Sequence, residues 1–436
     1  MERRQPPFYG WKLLAALWCI VFVNLAFPAY GTTVVNAYMA ADLKLDRKTL
    51  GLIFSMYMIM SGLPGPVVAV LINKVGPRIT LIGGSLVLLA GSLLMALFVK
   101  TGWQAVLVFG VVIGSGVLMG GTLASQTSAA FWFVRRRALA LAIMYSAASI
   151  GGFVAAPLLN HVIAAHDNNW RMGWWVIMGL ICCSTIIAVL FVTDKPADIG
   201  QLPDGGAVNK KDEGQTTGRE ARVYITAQDW TFKEVLYSPA LWMMMLCGIG
   251  MSGGFTLFMG QGVVHLQDLG HSSATAAMAI SIMVFGNFGG KVIVGALGDK
   301  IEPRLLWTAA MFIFAIGLVL VVHAQTVPVI YAFAICLGIG FGSSIVLIMT
   351  LFGNYFGSTV FASVSGLGLA VQTSVSAVAP LIGGYLYDTQ GSYASTFYGL
   401  AMLCFGGAVL LLFLRPPVKN SRYQETRAPE RFNVRG

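Results

Sequence analysis

Charged side chains are scarce in this 436-residue sequence. Asp, Glu, Lys and Arg together make up 11% of it and hydrophobic residues make up 57%, whereas soluble proteins carry about 25% charged residues. Because so little charge cannot cover the surface of a soluble domain, a soluble enzyme is excluded. Cysteine is also sparse: the six residues are scattered through apolar stretches, without a C-x-x-C pair or a nearby histidine cluster. Neither a disulfide scaffold nor a metal site is therefore predicted, and no cofactor is implied.

Long apolar stretches take the place of charge. Residues 13–35, 79–99 and 305–322 are each long enough to cross about 30 Å of hydrocarbon as a helix. Hydropathy and helix breakers predict twelve such segments, and the sequence is therefore that of an all-α, polytopic membrane protein. The predicted transmembrane helices cover residues 12–36, 49–72, 79–99, 105–131, 138–163, 172–193, 237–263, 274–297, 304–324, 327–352, 359–387 and 393–415.

One long polar stretch interrupts this pattern between the sixth and seventh segments. It predicts two six-helix halves, residues 1–193 and 237–418, joined by a cytoplasmic linker over residues 194–236. The tail 419–436 is basic and contains proline, a composition typical of disorder.

The distribution of Lys and Arg predicts the orientation in the membrane. Of the 28 Lys and Arg residues, 22 fall on the side of the N-terminus, the linker and the C-terminus, and five fall on the other side. Cytoplasmic loops carry the excess of positive charge, so both termini are predicted to be cytoplasmic. The net charge of +10 is thereby explained by topology and does not indicate a nucleic-acid partner.

A similar run of residues follows the second and the eighth segments. Residues 69–78 read A-V-L-I-N-K-V-G-P-R and residues 295–304 read G-A-L-G-D-K-I-E-P-R, 226 residues apart. Both resemble the G-x-L-x-D-R/K-x-G-x-R loop motif of the major facilitator superfamily, which implies two pseudo-symmetric halves. A carboxylate at a helix end can hold the N-terminus of a neighbouring helix and latch one conformation. The predicted latch residues are Gly295, Asp299, Lys300 and Arg304 in the second copy, which keeps the aspartate, and Lys74, Gly76 and Arg78 in the first.

Four further motifs narrow the resemblance. They are F-Y-G-W-K at residues 8–12, W-F-x-R-R-R-A-L-A at 132–140, H-L-Q-D-L-G at 265–270 and L-Y-D-T-Q-G-S-Y at 386–393. Their order and predicted positions resemble the oxalate/formate antiporter and monocarboxylate transporter group. Membership of that group implies transport of a small organic anion by alternating access of the two halves.

Lys291 is the only Lys, Arg, Asp or Glu well inside a predicted span. It precedes Asp299 by eight residues, about 12 Å of helix. A charge at this depth usually faces a cavity and marks a transport pathway. The alternative is that its long stem carries the amine to the cytoplasmic headgroups. Asn287 lies one turn away on the same face, next to a glycine pair, and favours the cavity.

The resemblance assigns a role to this position. Transporters of the group carry an arginine in span eight that binds the carboxylate of the substrate, and Lys291 matches it. A lysine is a point charge and cannot form the two-pronged contact of an arginine. One central positive charge suits a monoanion, because a second buried carboxylate would be unpaired. Asn287 matches a position that is acidic in animal monocarboxylate transporters. Because Asn is uncharged, no carboxylate of the protein would neutralise Lys291 there, and an anionic substrate would do so instead.

Other polar residues lie deep enough in the predicted spans to line a central site. Such residues either contact the solute or tie helices together by hydrogen bonds worth about 1 kcal/mol or less. The candidates for the lining are Asn24, Gln126, Tyr145 and Gln372.

The sequence thus predicts a monomeric secondary active transporter of a monocarboxylate in the inner or plasma membrane. None of the 18 acidic residues lies deep in a predicted span, so proton symport, with Lys291 as the coupling residue, and anion exchange both fit. The alternative is a carrier of another solute class, a drug exporter or a sugar symporter. Residues 151–157 match the exporter signature of span five poorly, and sugar carriers generally have a membrane-embedded acid.

Overall fold

A computed structural model describes residues 7–206 and 223–418 of the chain. Helices form the regular structure of these two ranges, in which no β-strand occurs. The all-α prediction is therefore confirmed for this part of the chain. The predicted tail 419–436 lies outside the described residues, as do residues 207–222 of the predicted linker.

Within the described residues, twelve long helices follow one another, labelled α1 to α12. The N-terminal half contains α1 (Gly10–Asp42), α2 (Arg47–Met60), α3 (Gly65–Leu97), α4 (Gly102–Trp132), α5 (Arg137–Ala165) and α6 (Arg171–Phe191). The C-terminal half contains α7 (Pro239–Asp268), α8 (Ser273–Leu297), α9 (Pro303–Val322), α10 (Val327–Phe356), α11 (Phe361–Gln390) and α12 (Ala394–Phe413).

The second and third membrane crossings meet at Gly76, inside α3: the second consists of α2 and the first part of α3, and the third is the rest of α3. The apolar helical stretch Thr49–Leu97 has 49 residues, about 74 Å at the helical rise, which is far more than one crossing needs. At Gly76 the backbone turns to φ 88 and ψ 159, which side-chain-bearing residues rarely adopt. Since this turn divides the stretch into two crossings, the eleven apolar helical stretches of the described chain correspond to the predicted twelve spans.

Two helices of the N-terminal half contain π-helical turns, which often occur at functional sites. In α1 these turns include Asn24 and Pro28, whose ring nitrogen cannot donate a hydrogen bond to the preceding turn. The π-helical segments are Phe22–Gly31 in α1, and Val106–Ile113 and Leu118–Leu123 in α4.

Small residues bring the two halves together. Across the interface, α8 lies along α5 and α11 lies along α3. A Cβ atom on Gly65 of α3 would lie 2.2 Å from the carbonyl oxygen of Gly366 of α11, so the two backbones are in direct contact. A Cβ atom on Gly295 of α8 would lie 3.0 Å from the Cβ atom of Ala142 of α5. Such close helix approach is typical of membrane proteins, in which helices associate by packing.

The linker marks one side of the molecule, called here the linker side. The backbone N–H of Thr226 donates to the carbonyl of Asn354 at 2.8 Å, at the end of α10. The backbone N–H of Tyr224 donates to the carboxylate of Glu302 at 3.0 Å, just before α9. The second described part of the linker, residues 223–236, therefore lies against the loops of the C-terminal half.

Hydrogen bonds join the two halves on this same side. The guanidinium of Arg137, the first residue of α5, donates to the side chains of Asn354 at 2.9 Å and Ser358 at 3.0 Å. The side-chain amide of Asn73 on α3 donates to the hydroxyl of Ser363 on α11 at 2.9 Å. These contacts hold the halves together on the linker side.

Candidate functional site

Lys291 lies at the contact between the two halves. Its side chain is 4% exposed. The helix that carries it, α8, approaches α10 very closely, because a Cβ atom on Gly290 would lie 2.4 Å from the carbonyl oxygen of Ile339. A Cβ atom on Gly342 of α10 would likewise lie 2.1 Å from the carbonyl oxygen of Asn287. Glycines on both helices therefore fix the position of the polar face of α8.

The ammonium group of Lys291 points to α5. It donates hydrogen bonds to the carbonyl oxygen of Tyr145 at 3.1 Å and to the hydroxyl of Ser149 at 2.7 Å. Both acceptors are uncharged, and among residues 7–206 and 223–418 no carboxylate forms an ion pair with Lys291. The amine is thus held between the two halves by neutral groups of α5.

Asn287 completes this contact one turn earlier on α8. Its side-chain carbonyl accepts a hydrogen bond from the hydroxyl of Ser149 at 3.1 Å. Ser149 therefore lies between the two polar residues of α8 and joins them to α5. Sequence reasoning did not single out Ser149. Its position four residues after Tyr145, on the same helix face, was the available signal.

The cluster extends from α5 to α4 through Tyr145. The tyrosine hydroxyl donates to the side-chain carbonyl of Gln126, while the tyrosine backbone carbonyl accepts from Lys291. Gln126 is fully buried, and its side-chain nitrogen has no hydrogen-bond partner in the described chain. The structure thus brings together four of the predicted site residues, Lys291, Asn287, Tyr145 and Gln126. The side-chain NH2 group of Gln126 can still donate hydrogen bonds.

Asn24 lies elsewhere in the N-terminal half. Its side-chain amide donates to the hydroxyl of Ser85 and to the carbonyl of Gly120, both at 2.8 Å. Its carbonyl accepts from the hydroxyl of Ser184 at 2.7 Å. These three contacts tie α1 to α3, α4 and α6, as expected for the helix-tying alternative, and the structure does not bring Asn24 to Lys291.

Gln372 lies in a recess of the C-terminal half whose lining does not include Lys291. The side chains of Ser252 on α7, Trp307 on α9 and Phe341 on α10 share this recess with it. Phe341 stacks on Phe255, with 3.6 Å between the ring centres. The recess therefore combines aromatic surface with the amide of Gln372.

The carboxylate of Asp299 contacts the first turn of α5. It accepts hydrogen bonds from the backbone N–H groups of Ala138 at 2.9 Å and Leu139 at 3.0 Å. These groups have no partner within their own helix, and a negative charge is favourable at a helix N-terminus. Burial raises the pKa of the Asp299 carboxyl, and the two backbone hydrogen bonds oppose that rise. A residue of the C-terminal half thus holds a helix of the N-terminal half on the linker side.

The other predicted latch residues of the second copy have different contacts. Gly295 permits the close packing of α8 on Ala142. The guanidinium of Arg304 donates to the carbonyl of Leu414 within the same half. Lys300 is exposed. Of this copy, Asp299 and Gly295 contact the opposite half.

Gly76 and Arg78 of the first copy contact Asp194, the first residue of the linker, and not the opposite half. The backbone N–H of Arg78 donates to the carboxylate of Asp194 at 2.7 Å, and the same carboxylate lies against Gly76. Lys74 is exposed. Asp194 therefore accepts a backbone hydrogen bond at the start of the third crossing, as Asp299 does at the start of α5, but it does not join the two halves.

No group of three or more His, Cys, Asp or Glu side chains that could hold a metal ion occurs in the part of the chain that the structure describes.

Comparison with known proteins agrees with this architecture. Residues 16–266 and 261–434 match the Major Facilitator Superfamily. Monocarboxylate transporter 13 of Rattus norvegicus is 23% identical over 428 residues, which cover 95% of this chain and 91% of that protein. The gentisate transporter of Corynebacterium glutamicum is 25% identical over 411 residues, which cover 92% of this chain and 86% of that protein.

A solved structure shows the same fold. The fucose:proton symporter of E. coli aligns with a TM-score of 0.68 and 13% sequence identity, covering 93% of this chain and 98% of the symporter. The repeated loop motif, the twelve crossings and the match along nearly the whole sequence agree with one another. The chain therefore belongs to the Major Facilitator Superfamily.

Proposed function

We propose that this transporter carries a small organic anion, a monocarboxylate, whose carboxylate binds Lys291. The observation that supports the proposal is a lysine 4% exposed between the halves, whose hydrogen-bond acceptors, the Tyr145 carbonyl and the Ser149 hydroxyl, are both neutral. A buried cation without a counter-ion is costly, and a bound carboxylate supplies the missing charge. Relatives named for transport of monocarboxylates and of gentisate, at 23% and 25% identity, support the same solute class.

The neutral residues of the site would contact the remainder of the anion. The unpartnered side-chain nitrogen of Gln126 offers a hydrogen-bond donor beside Tyr145. Gln372 offers an amide in the aromatic recess of the C-terminal half. A second carboxylate would meet amides and hydroxyls at these positions, which favours an anion with a single carboxylate. Asn24 is the weakest of the candidates, because its polar atoms are already bonded to other helices.

Two coupling mechanisms fit this site. In proton symport the anion and a proton would enter together, with Lys291 as the coupling residue. In anion exchange one carboxylate would leave as another enters. A substrate pulse that acidifies lightly buffered proteoliposomes supports symport, whereas uptake that requires a loaded internal anion supports exchange.

We also infer that the linker side faces the cytoplasm across the inner or plasma membrane, because positive charge concentrates there. The contacts of Asp299 with Ala138 and Leu139 then act as a latch that closes the cytoplasmic side. We propose that the transporter works as a monomer. Light scattering of the purified protein, and labelling of cysteines introduced on either side in intact cells, test these points.

The test of the proposed function is uptake into proteoliposomes of labelled lactate, pyruvate, formate, acetate, oxalate and gentisate. Saturable uptake of a monocarboxylate that is abolished in folded Lys291→Gln supports the proposal. The matched control is Lys100→Gln, the same substitution at an exposed lysine between α3 and α4. Uptake by Lys291→Gln equal to that of wild type would refute the role of Lys291. Transport of none of the six anions would favour a carrier of another solute class.

A further inference from the structure

The hydroxyl of Ser149 is the point at which the two polar residues of α8 meet α5. Its oxygen lies 2.7 Å from the ammonium nitrogen of Lys291 and 3.1 Å from the side-chain oxygen of Asn287. Ser149 is 3% exposed, so water does not compete for these contacts. Asn287 and Lys291 are one helical turn apart, and the hydroxyl therefore lies between their side chains.

The direction of the hydrogen bonds follows from the groups involved. An ammonium group can only donate, so the oxygen of Ser149 accepts from Lys291. The single hydroxyl proton of Ser149 is then free to go to Asn287, whose side-chain oxygen can only accept. Asn287 thus orients the hydroxyl so that a lone pair faces the ammonium group. In this arrangement Asn287 acts on Lys291 through Ser149.

The same contacts determine how many N–H bonds of the Lys291 ammonium group remain free. An ammonium group has three N–H bonds. One is taken by Ser149 and one by the carbonyl of Tyr145. A single N–H bond remains for a solute, in a direction that the other two contacts determine.

We propose that Ser149 is a positioning residue that orients Lys291 and leaves it one free donor, so that the site accepts one carboxylate oxygen. The inference rests on the proposed function, in which Lys291 binds the carboxylate. Ser149 then contributes to the preference for monocarboxylates, because the second carboxylate of a dicarboxylate such as oxalate would find no second free N–H bond on Lys291. The opposing interpretation is that Ser149 only ties α5 to α8.

Ser149→Ala separates these interpretations. Loss of one hydrogen bond that positions the binding group is expected to raise the KM for the transported monocarboxylate roughly three- to tenfold, with the maximal rate nearly unchanged. The variant also frees a second N–H bond of Lys291, so inhibition by oxalate should strengthen relative to inhibition by the monocarboxylate. Ser149→Thr keeps the hydroxyl and should retain the wild-type KM and selectivity. A purely structural role would lower the maximal rate for all anions equally.

The control is Ser92→Ala, which removes a buried hydroxyl that has no hydrogen-bond partner in the described chain. Should the alanine variant not purify, Ser149→Cys gives the same comparison, because a thiol has nearly the same size but accepts hydrogen bonds weakly. Its KM should also rise.

The outcomes for the inference and for the proposed function are distinct. If wild type transports monocarboxylates, Lys291→Gln does not, and Ser149→Ala keeps the KM and selectivity of wild type, the inference is overturned and the proposed function stands. A fall in the maximal rate alone, equal for all anions, overturns it too. If wild type transports no monocarboxylate, both proposals fail together.

Discussion

The ammonium nitrogen of Lys291 and the hydroxyl oxygen of Ser149 lie 2.7 Å apart, although the two residues belong to different halves of the molecule. In a transporter of this fold, the two halves rock about a site near the middle of the membrane. Lys291, the residue proposed to bind the solute, also donates hydrogen bonds to the opposite half. A solute that takes up the free N–H bond of Lys291 would bind at the contact about which the halves move.

Charge and geometry at Lys291 can be separated by Lys291→Arg. This variant keeps the positive charge, and its planar guanidinium can still donate to Ser149 and Tyr145. Because the larger group presents a fork in place of a point charge, we expect uptake of monocarboxylates to persist with a KM changed by up to roughly tenfold. Uptake kinetics beside Lys291→Gln provide the measurement. An arginine variant as inactive as the glutamine variant would show that positive charge alone is not sufficient.

Asp299→Asn should weaken the closed state of the linker side. A negative charge at a helix N-terminus is worth roughly 0.5–2 kcal/mol, so the closed population should fall about two- to thirtyfold relative to the open one. Alkylation of Leu139→Cys, which faces Gly295 across the interface, measures this opening in a background without native cysteines. Lys300→Gln, an exposed neighbour, is the control. Equal alkylation rates in Asp299→Asn and wild type would contradict the latch.

Alanine substitution should destabilise the protein at one of two adjacent glycines on α8 and have no effect at the other. The added Cβ atom of Gly290→Ala would lie 2.4 Å from the backbone oxygen of Ile339, so α8 and α10 must separate. Overpacking of this kind typically costs about 1–3 kcal/mol. Around Gly289 no atom lies within 4 Å of an added Cβ atom, and Gly289→Ala should be neutral. Melting temperatures of the two purified variants give the comparison, and equal values would show that the close approach is not needed.

Asn24→Ala should affect stability and leave substrate affinity unchanged. Its loss removes three hydrogen bonds between helices, although the hydroxyls of Ser85 and Ser184 keep their bonds to carbonyls of their own helices. Each hydrogen bond lost contributes about 0.5–1.5 kcal/mol. We therefore expect a lower melting temperature with the KM of wild type. A higher KM at unchanged stability would instead place Asn24 at the solute.

The sequence predicted the general architecture well, because its signals are averages over many residues. The predicted helical membrane crossings and the resemblance to the Major Facilitator Superfamily are confirmed by the helices and by the family match. The helix ends were less predictable: α1 extends to Asp42, beyond the predicted end at residue 36. A membrane-spanning helix is continued or ended by its local hydrogen bonds, which hydropathy does not record.

The candidate site was only partly predictable from the sequence. Lys291 stood out because a charge inside an apolar span is costly, and Asn287 followed from helical spacing. Nothing in a single sequence separates Asn24, which ties four helices, from Gln126, whose side-chain nitrogen has no hydrogen-bond partner in the described chain. Ser149 was missed because a serine in a membrane helix usually bonds its own preceding turn.

Composition and periodicity by themselves determined that this chain spans the membrane twelve times as helices in two halves, because the free energy of transferring a span into lipid is a sum over its own residues. The tertiary structure alone decided which polar groups meet. Contacts such as Ser149 with Lys291 and Asp299 with Ala138 join residues more than 100 positions apart. They depend on the close approach of α5 and α8, which Gly295 of α8 permits opposite Ala142 and which no local signal specifies.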